Sequence, residues 1–196
     1  TIYSFLLMTG YLKVLNTSLS FNGDFLCEVA LPNREISLVY NKEILQRMEN
    51  MIPQATAISI QEAAFSGDHK RLKSQLQMML TQSVSFFDTV GENFYHGFML
   101  GLCALMSGTF VTSNRESGDG RYDIQLKPIR KGLPGILIEL KAGKNCSDEE
   151  LKNMSEAALK QITDKKYDTE MKNAGIQTIY KYGVAFSGKN VEVAVE

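Results

Sequence analysis

A chain of 196 residues is long enough to bury one good hydrophobic core or two small ones. Its 21 basic and 22 acidic side chains give a formal net charge of −1, which excludes a globally basic nucleic-acid-binding protein and leaves local patches to decide any such contact. The cysteines, Cys27, Cys103 and Cys146, are far apart and lack metal-ligand spacing, which argues against a disulfide framework or zinc site and favours a reducing, cytoplasmic setting.

The N-terminal stretch begins with an apolar segment over residues 2–15, which predicts a helix that Gly10 weakens. Thr1 opens the chain without an initiator Met or the basic start of a signal peptide, so we expect a piece of a longer protein. The apolar run 94–106 is shorter than the roughly 20 residues that cross a bilayer, and His96 interrupts it. The sequence therefore predicts a soluble protein that does not enter the membrane.

A hairpin and further helices are predicted up to about residue 80. Asn22-Gly23 between apolar flanks predicts a turn joining two strands. Asn33 is placed to cap a helix over 34–48, and helical patterns continue over 53–80. We therefore expect residues 1–80 to form a small, mainly helical N-terminal subdomain, which resembles a winged-helix module.

A second unit is predicted over residues 81–196, beginning with one long, mostly buried helix between Ser83 and Met106. On this helix Glu92 and His96 are four residues apart, which places a carboxylate and an imidazole side by side. A lone histidine on an apolar helix is also commonly a satisfied core residue. Both interpretations of His96 stay open at this point.

The most informative pattern is a pair of charges within the apolar run 136–141. This run predicts a central strand, and because side chains alternate between sheet faces, Glu139 and Lys141 point the same way. Leu140 is expected to point the opposite way. Buried charges are costly unless they are paired or bound to metal, so this strand predicts a functional site.

The preceding run, residues 121–127, alternates between polar and apolar side chains and predicts a neighbouring strand. Strict alternation places Tyr122, Ile124 and Leu126 on one face and Asp123 on the polar face. Two acids and a lysine are thus expected on adjacent strands. Such a group suggests metal-dependent cleavage of phosphodiester bonds.

The remaining sequence predicts one helix and two strands. A capping box at Ser147 begins the helix, and Gly175 ends it. Gln161 interrupts its apolar stripe and either enters a site or satisfies a backbone group. Strands are predicted over 177–186 and 191–195. The order of elements predicts an α/β fold in which helices pack against a mixed sheet.

Taken as a set, these segments resemble the PD-(D/E)XK nuclease superfamily. More narrowly, they resemble the family whose nuclease-like domain follows an AAA-ATPase-like domain in one longer polypeptide. The similarity extends from about Ser83 to the C-terminus, although Tyr122 replaces the proline of the superfamily motif. The segments that carry it are residues 92–98, 118–124, 138–141 and 158–167. The resemblance implies a restriction-endonuclease-like mixed central sheet flanked by helices, with an AAA-ATPase-like domain as partner.

The resemblance also implies roles for individual residues. Asp123 and Glu139 would hold Mg²⁺ or Mn²⁺, since hard divalent ions prefer oxygen ligands. Lys141 would position the attacking water or stabilise the transition state. Glu92 would supply an additional catalytic acid and metal ligand, and His96 a further ligand.

The same resemblance implies roles for residues that lie beside this group. Gln161 and Tyr167 are similar to a glutamine and a tyrosine that several branches place next to the metal. Arg121, Tyr167 and Lys144 are candidates for contact with phosphate or substrate. A simpler interpretation of Arg121 is a salt bridge with Glu116 that braces the glycine-rich loop. The lysines of this region also have a simpler interpretation, as solvated surface charges.

Three functions follow from these expectations. The favoured one is a Mg²⁺-dependent nuclease that hydrolyses phosphodiester bonds of DNA. The alternative is a catalytically silent nucleic-acid-binding or regulatory module of a longer ATPase-containing protein. A purely structural interaction domain, in which the acids pair with Lys141 and Arg121, is the third. Each is compatible with a homo-oligomer.

Overall fold

The computed structural model describes residues 7–19, 25–36, 54–83 and 92–196. The chain divides into two units, Thr1–Asn50 and Met51–Glu196. Within the described ranges, no helix combines the length and apolar character that crossing a membrane requires.

The first unit contains an antiparallel hairpin of β1 (Lys13–Leu19) and β2 (Phe25–Ala30). The predicted hairpin is confirmed, although its Asn-Gly turn lies outside the described residues. The helix predicted over 2–15 is wrong at its end, because Lys13 and Val14 pair with β2 and Leu15 lies within β1, and cross-strand pairing outweighs weak local helix propensity.

Asn33 caps a helical turn in this unit. Its Oδ1 accepts a hydrogen bond from Ile36 N at 2.9 Å, which is the bond an N-cap residue makes. Helical backbone is described at residues 34–36, and the rest of the helix predicted over 34–48 lies outside the described residues. The winged-helix-like arrangement therefore stays a prediction.

The second unit is built on a five-stranded sheet with the order β3-β4-β5-β6-β7. Its strands are β3 (Thr109–Ser117), β4 (Gly120–Pro128), β5 (Gly135–Gly143), β6 (Ile179–Ser187) and β7 (Asn190–Val195). β5 and β6 run parallel and the other neighbours run antiparallel. The parallel pair requires a crossover, which the intervening helices provide. The predicted restriction-endonuclease-like mixed sheet flanked by helices is confirmed.

The helices are α1 (Gln54–Ser66), α2 (His69–Ser83), α3 (Glu92–Ala104), α4 (Asp148–Asp164) and α5 (Thr169–Asn173). α1, α2 and α3 contribute to the larger core, which includes Ile136, Ile138 and Leu140 of β5. α4 and α5 contribute to a smaller core on the other face, around Leu137. Alternate residues of β5 thus enter opposite cores, as expected for a central strand.

Two helices differ from their predicted extents. The helix expected to run from Ser147 to Gly175 ends at Asp164, and α5 is separate, because Lys166 has a φ of 52° that interrupts helical geometry. The capping box at Ser147 is confirmed. α1 and α2 lie in the same compact unit as the sheet. The start of the nuclease-like domain near residue 81 stays a prediction.

Candidate active site

The hairpin that carries Asp123 is interrupted at a single residue pair. β3 and β4 keep one register from end to end, but Asn114 and Asp123 do not pair. Asn114 has a φ of 53°, in the left-handed region that asparagine tolerates better than most residues. On its other side, β4 pairs with β5 only as far as Ile124 with Ile138. Asp123 therefore lies where β4 leaves both regular ladders.

The prediction of the sheet face on which Tyr122 lies is wrong. Ile124 packs in the larger core, whereas Tyr122 packs with Leu137 and Tyr167 in the smaller core. Strict alternation placed Tyr122 and Ile124 on the same face. Side-chain alternation along β4 therefore does not continue across Asp123, the residue at which pairing with β3 is interrupted.

The carboxylate of Asp123 is tied to the neighbouring strand β5. Its Oδ2 accepts a hydrogen bond from the backbone N of Leu140 at 2.8 Å. A side-chain oxygen thus occupies a position that a backbone carbonyl takes in a continuous ladder. This bond holds the Asp123 carboxylate at Leu140, the residue that follows Glu139 on β5.

Glu139 and Lys141 share one face of β5 and meet Gln161 of α4. Glu139 is 3% exposed, and its Oε1 accepts a hydrogen bond from Gln161 Nε2. Lys141 Nζ lies 3.5 Å from the same carboxylate oxygen and donates to Gln161 Oε1 at 2.9 Å. Leu140 packs in the larger core, so the predicted alternation of β5 is confirmed. Gln161 enters the site and bridges the acid and the lysine.

The electrostatics of Glu139 favour a bound cation. Its pKa is raised to about 7, first by burial and then by the negative charge of Asp123, while Lys141 acts in the opposite direction. Its Oε2 is buried and has no hydrogen-bond partner within the described residues. A buried oxygen without a partner costs free energy, and a divalent ion would supply both the partner and the positive charge.

Beside Asp123, a small cavity of about 90 Å³ extends to the N-terminal end of α3. Its lining residues are Glu92, Asn93, His96, Asn114, Asp123 and Leu140. His96 Nε2 lies 3.4 Å from Asp123 O and 3.4 Å from Asn114 Nδ2. The structure therefore brings Glu92 and His96 to the same cavity as Asp123.

Metal coordination at this site would be incomplete with protein groups alone. In the part of the chain that the structure describes, no three His, Cys, Asp or Glu side chains form a metal-binding group. Mg²⁺ commonly binds through one or two carboxylates and completes its shell with water and substrate phosphate. The two carboxylates Asp123 and Glu139 fit that kind of site.

The other candidate residues lie in three different environments. Tyr167 is buried, and its hydroxyl oxygen accepts a hydrogen bond from Gln161 Nε2 at 3.3 Å. Arg121 is exposed on β4, opposite Glu116 in register, and both line an open cavity of about 480 Å³ at the end of the hairpin. Lys144 is exposed in the segment after β5. Of these residues, Tyr167 joins the network around Glu139.

Asn114 and Asn93 line the cavity but were not predicted as site residues. Asn93 lies within residues 92–98, which carry the family resemblance, although no role was predicted for it. Asn114 has a signal of its own, because asparagine is uncommon inside strands and is enriched among residues with positive φ. An asparagine in the middle of a predicted strand next to a candidate catalytic acid is therefore a useful signal.

Substitutions of Asn114 should separate its backbone conformation from its side chain. Asn114→Gly is expected to change the free energy of unfolding by about 0.5 kcal/mol or less, since glycine adopts positive φ readily. Asn114→Val is expected to destabilise the protein by about 1–2 kcal/mol, because a β-branched residue disfavours that conformation. Urea denaturation measures both. Equal losses in the two variants would show that the left-handed conformation does not matter.

Comparison with known proteins adds one finding. A family model described as PD-(D/E)XK nuclease superfamily matches residues 90–196. This segment covers α3, the whole five-stranded sheet, α4 and α5, and thus every candidate residue of the site. No curated protein matches the chain.

Proposed function

Because this chain belongs to the PD-(D/E)XK nuclease superfamily, we propose that it is a metal-dependent nuclease that hydrolyses phosphodiester bonds of DNA. Glu139 carries the proposal. It is a buried acid with a raised pKa and one carboxylate oxygen that no described residue hydrogen-bonds, next to Asp123 and joined to Lys141 through Gln161. A group with these properties is costly to a fold that does not use it.

Members of this superfamily are generally dependent on a divalent metal. In this chain Asp123 and Glu139 would hold Mg²⁺ or Mn²⁺. Glu92 and His96, the further ligands predicted on α3, line the cavity beside Asp123 and would act on the ion through water rather than as third and fourth direct ligands. When bound, the ion would lower the pKa of water and offset the negative charge of the attacked phosphate.

Lys141 would provide the positive charge that phosphoryl transfer requires from the protein. Its ammonium group is held beside Glu139 by the Gln161 carbonyl oxygen, so its position is fixed before substrate binds. Preorganised charge stabilises a transition state more than mobile charge, because little reorganisation accompanies the reaction. Lys141 would act on the phosphate oxygens as the water oxygen replaces the leaving oxygen on phosphorus.

Metal titration and DNA cleavage test this proposal together. We expect Mg²⁺ and Mn²⁺ to bind with measurable heat at pH 8, and labelled DNA to be cut with Mg²⁺ but not with EDTA. Glu139→Ala should abolish both, because it removes the buried ligand oxygen. Glu149→Ala, an exposed acid in the first turn of α4, is the matched control and should change neither.

Two outcomes would contradict the nuclease. The absence of binding heat at any pH, together with the absence of cleavage, would remove the metal-dependent reaction. DNA binding that persists in EDTA and is unchanged by Glu139→Ala, without cleavage, would support the silent nucleic-acid-binding module instead. Association with an AAA-ATPase-like domain stays a prediction from the sequence.

A further inference from the structure

The tip of the β3–β4 hairpin (residues 117–120) contacts the turn between α4 and α5. Ser117 is buried, and its Oγ donates a hydrogen bond to Tyr167 O at 2.8 Å. Asp119 N donates to Lys165 O at 2.8 Å. Two hydrogen bonds to main-chain oxygens therefore attach the hairpin tip to this turn.

The contact leaves no room for a side chain at Gly118. A Cβ atom there would lie 2.3 Å from the backbone oxygens of both Lys165 and Lys166, and Gly118 has a φ of 60°. At Gly120 a Cβ would lie 3.2 Å from the Tyr167 hydroxyl oxygen. Both glycines of the Gly-Asp-Gly sequence are thus explained by close approach to the residues around Tyr167.

Tyr167 connects the hairpin tip to the candidate active site. Its ring packs edge-on against Tyr122, with ring centroids 6.5 Å apart, and only 2% of the residue is exposed. Its hydroxyl oxygen accepts a hydrogen bond from Gln161 Nε2, which also donates to Glu139. The Gln161 amide nitrogen carries two protons, so these two acceptors use its full donor capacity.

This arrangement fixes which end of the Gln161 amide faces each partner. With both amide protons engaged, the carbonyl oxygen is left to accept from Lys141. If Tyr167 moved, Gln161 would lose one of three contacts, and rotation of its amide would exchange the donor and acceptor seen by Glu139 and Lys141. The geometry of the catalytic pair therefore depends on where Tyr167 is held.

We propose that the hairpin tip is a positioning element that holds Tyr167 and, through it, the Gln161 side chain that joins Glu139 to Lys141. Residues 117–120 do not contact the reacting atoms in this proposal. Its effect on catalysis rests on the proposed nuclease function, whereas its effect on Gln161 does not.

Gly118→Ala tests this proposal, with Gly132→Ala as a matched control. Gly132 also has positive φ, 89°, but a Cβ there would meet none of the described residues within 4 Å. Both variants should lose a few degrees of melting temperature from the strained backbone. The Gly118→Ala variant alone should also push the α4–α5 turn away.

The decisive measurement is the side-chain amide signal of Gln161 in a ¹⁵N NMR spectrum, assigned with Gln161→Glu. We expect Gly118→Ala to shift this signal and to lower kcat by about tenfold or more with KM within about twofold, since misplacement of catalytic groups acts on kcat. Gly132→Ala should do neither. If Gly118→Ala does not fold, Ser117→Ala removes the bond to Tyr167 without backbone strain and should shift the same signal.

An unchanged Gln161 signal in both hairpin variants, or equal changes in Gly132→Ala, would overturn the proposal. A shifted Gln161 signal with wild-type kcat would also overturn it, since the hairpin tip would then not position the catalytic pair. The NMR signal requires no activity. A wild-type protein that does not cleave DNA would therefore contradict the nuclease function, while the Gln161 signal would still decide whether the hairpin tip holds this side chain.

Discussion

Replacing Glu139 with glutamine is expected to abolish cleavage and, without metal at pH 8, to make the protein more stable than the wild type. Burial raises the pKa of Glu139 from its ordinary value of 4.5 to about 7. The folded protein therefore binds a proton that the unfolded chain releases, and the carboxyl group favours folding fully only below about pH 4.5. That contribution is lost as the pH rises through 7, by an amount on the order of 3 kcal/mol.

Urea denaturation in EDTA at pH 5 and pH 8 measures this difference. The wild type should lose stability relative to Glu139→Gln between these two pH values, whereas Glu149→Gln, an exposed control, should follow the wild type. Cleavage by Glu139→Gln with Mg²⁺ should fall by about a thousandfold or more, since a ligand oxygen for the ion is lost. If the free energy of unfolding changed equally with pH in the wild type and in Glu139→Gln, folding would not raise the pKa of Glu139.

The second large effect is expected for Lys141→Met, in which turnover should fall even where the metal ion is still bound. We expect single-turnover cleavage to fall by about 100- to 1,000-fold, because a preorganised charge on the transition state is removed. The metal-binding curve should move to higher pH. Lys141 lowers the pKa of Glu139, so without it that pKa rises further, and the carboxylate must lose its proton before it binds the ion.

Calorimetry with Mn²⁺ between pH 6 and pH 9 separates the two effects. Affinity in Lys141→Met should be weaker at pH 7 and at least as strong as in the wild type at pH 9, where Glu139 is ionised in both proteins. Lys152→Met, an exposed lysine on α4, is the control and should match the wild type throughout. Wild-type turnover in Lys141→Met would remove this lysine from the mechanism.

The agreement between sequence and structure is best where side-chain alternation is unbroken. β5 is a continuous central strand, so period two placed Glu139 and Lys141 on one face and Leu140 in the larger core. The face of Tyr122 was predicted wrongly because the β3–β4 ladder is interrupted at Asn114 and Asp123, between Tyr122 and Ile124, and period two assumes an uninterrupted strand. Local pattern therefore predicts a strand well and an interrupted hairpin poorly.

The helix after β5 shows a second limit. Its capping box is local and was predicted, whereas its end at Asp164 is followed by a turn whose carbonyl oxygens lie against Gly118. That contact joins segments far apart in the sequence, so helix propensity does not contain it. Strand alternation pointed to Asp123, Glu139 and Lys141, and the family resemblance added site roles for Glu92, His96 and Tyr167. The catalytic roles of all these residues stay predictions.

The interruption at Asn114 also bears on how the sheet meets other chains. β3 is an outer strand of the five-stranded sheet, and outer strands offer unpaired backbone groups on which another polypeptide can add. A left-handed residue inside β3 divides that edge into residues 109–113 and 115–117. Neither part offers a long regular template for an added strand. The residue opposite Asp123 thus also shortens each regular stretch of backbone that this edge of the described sheet presents.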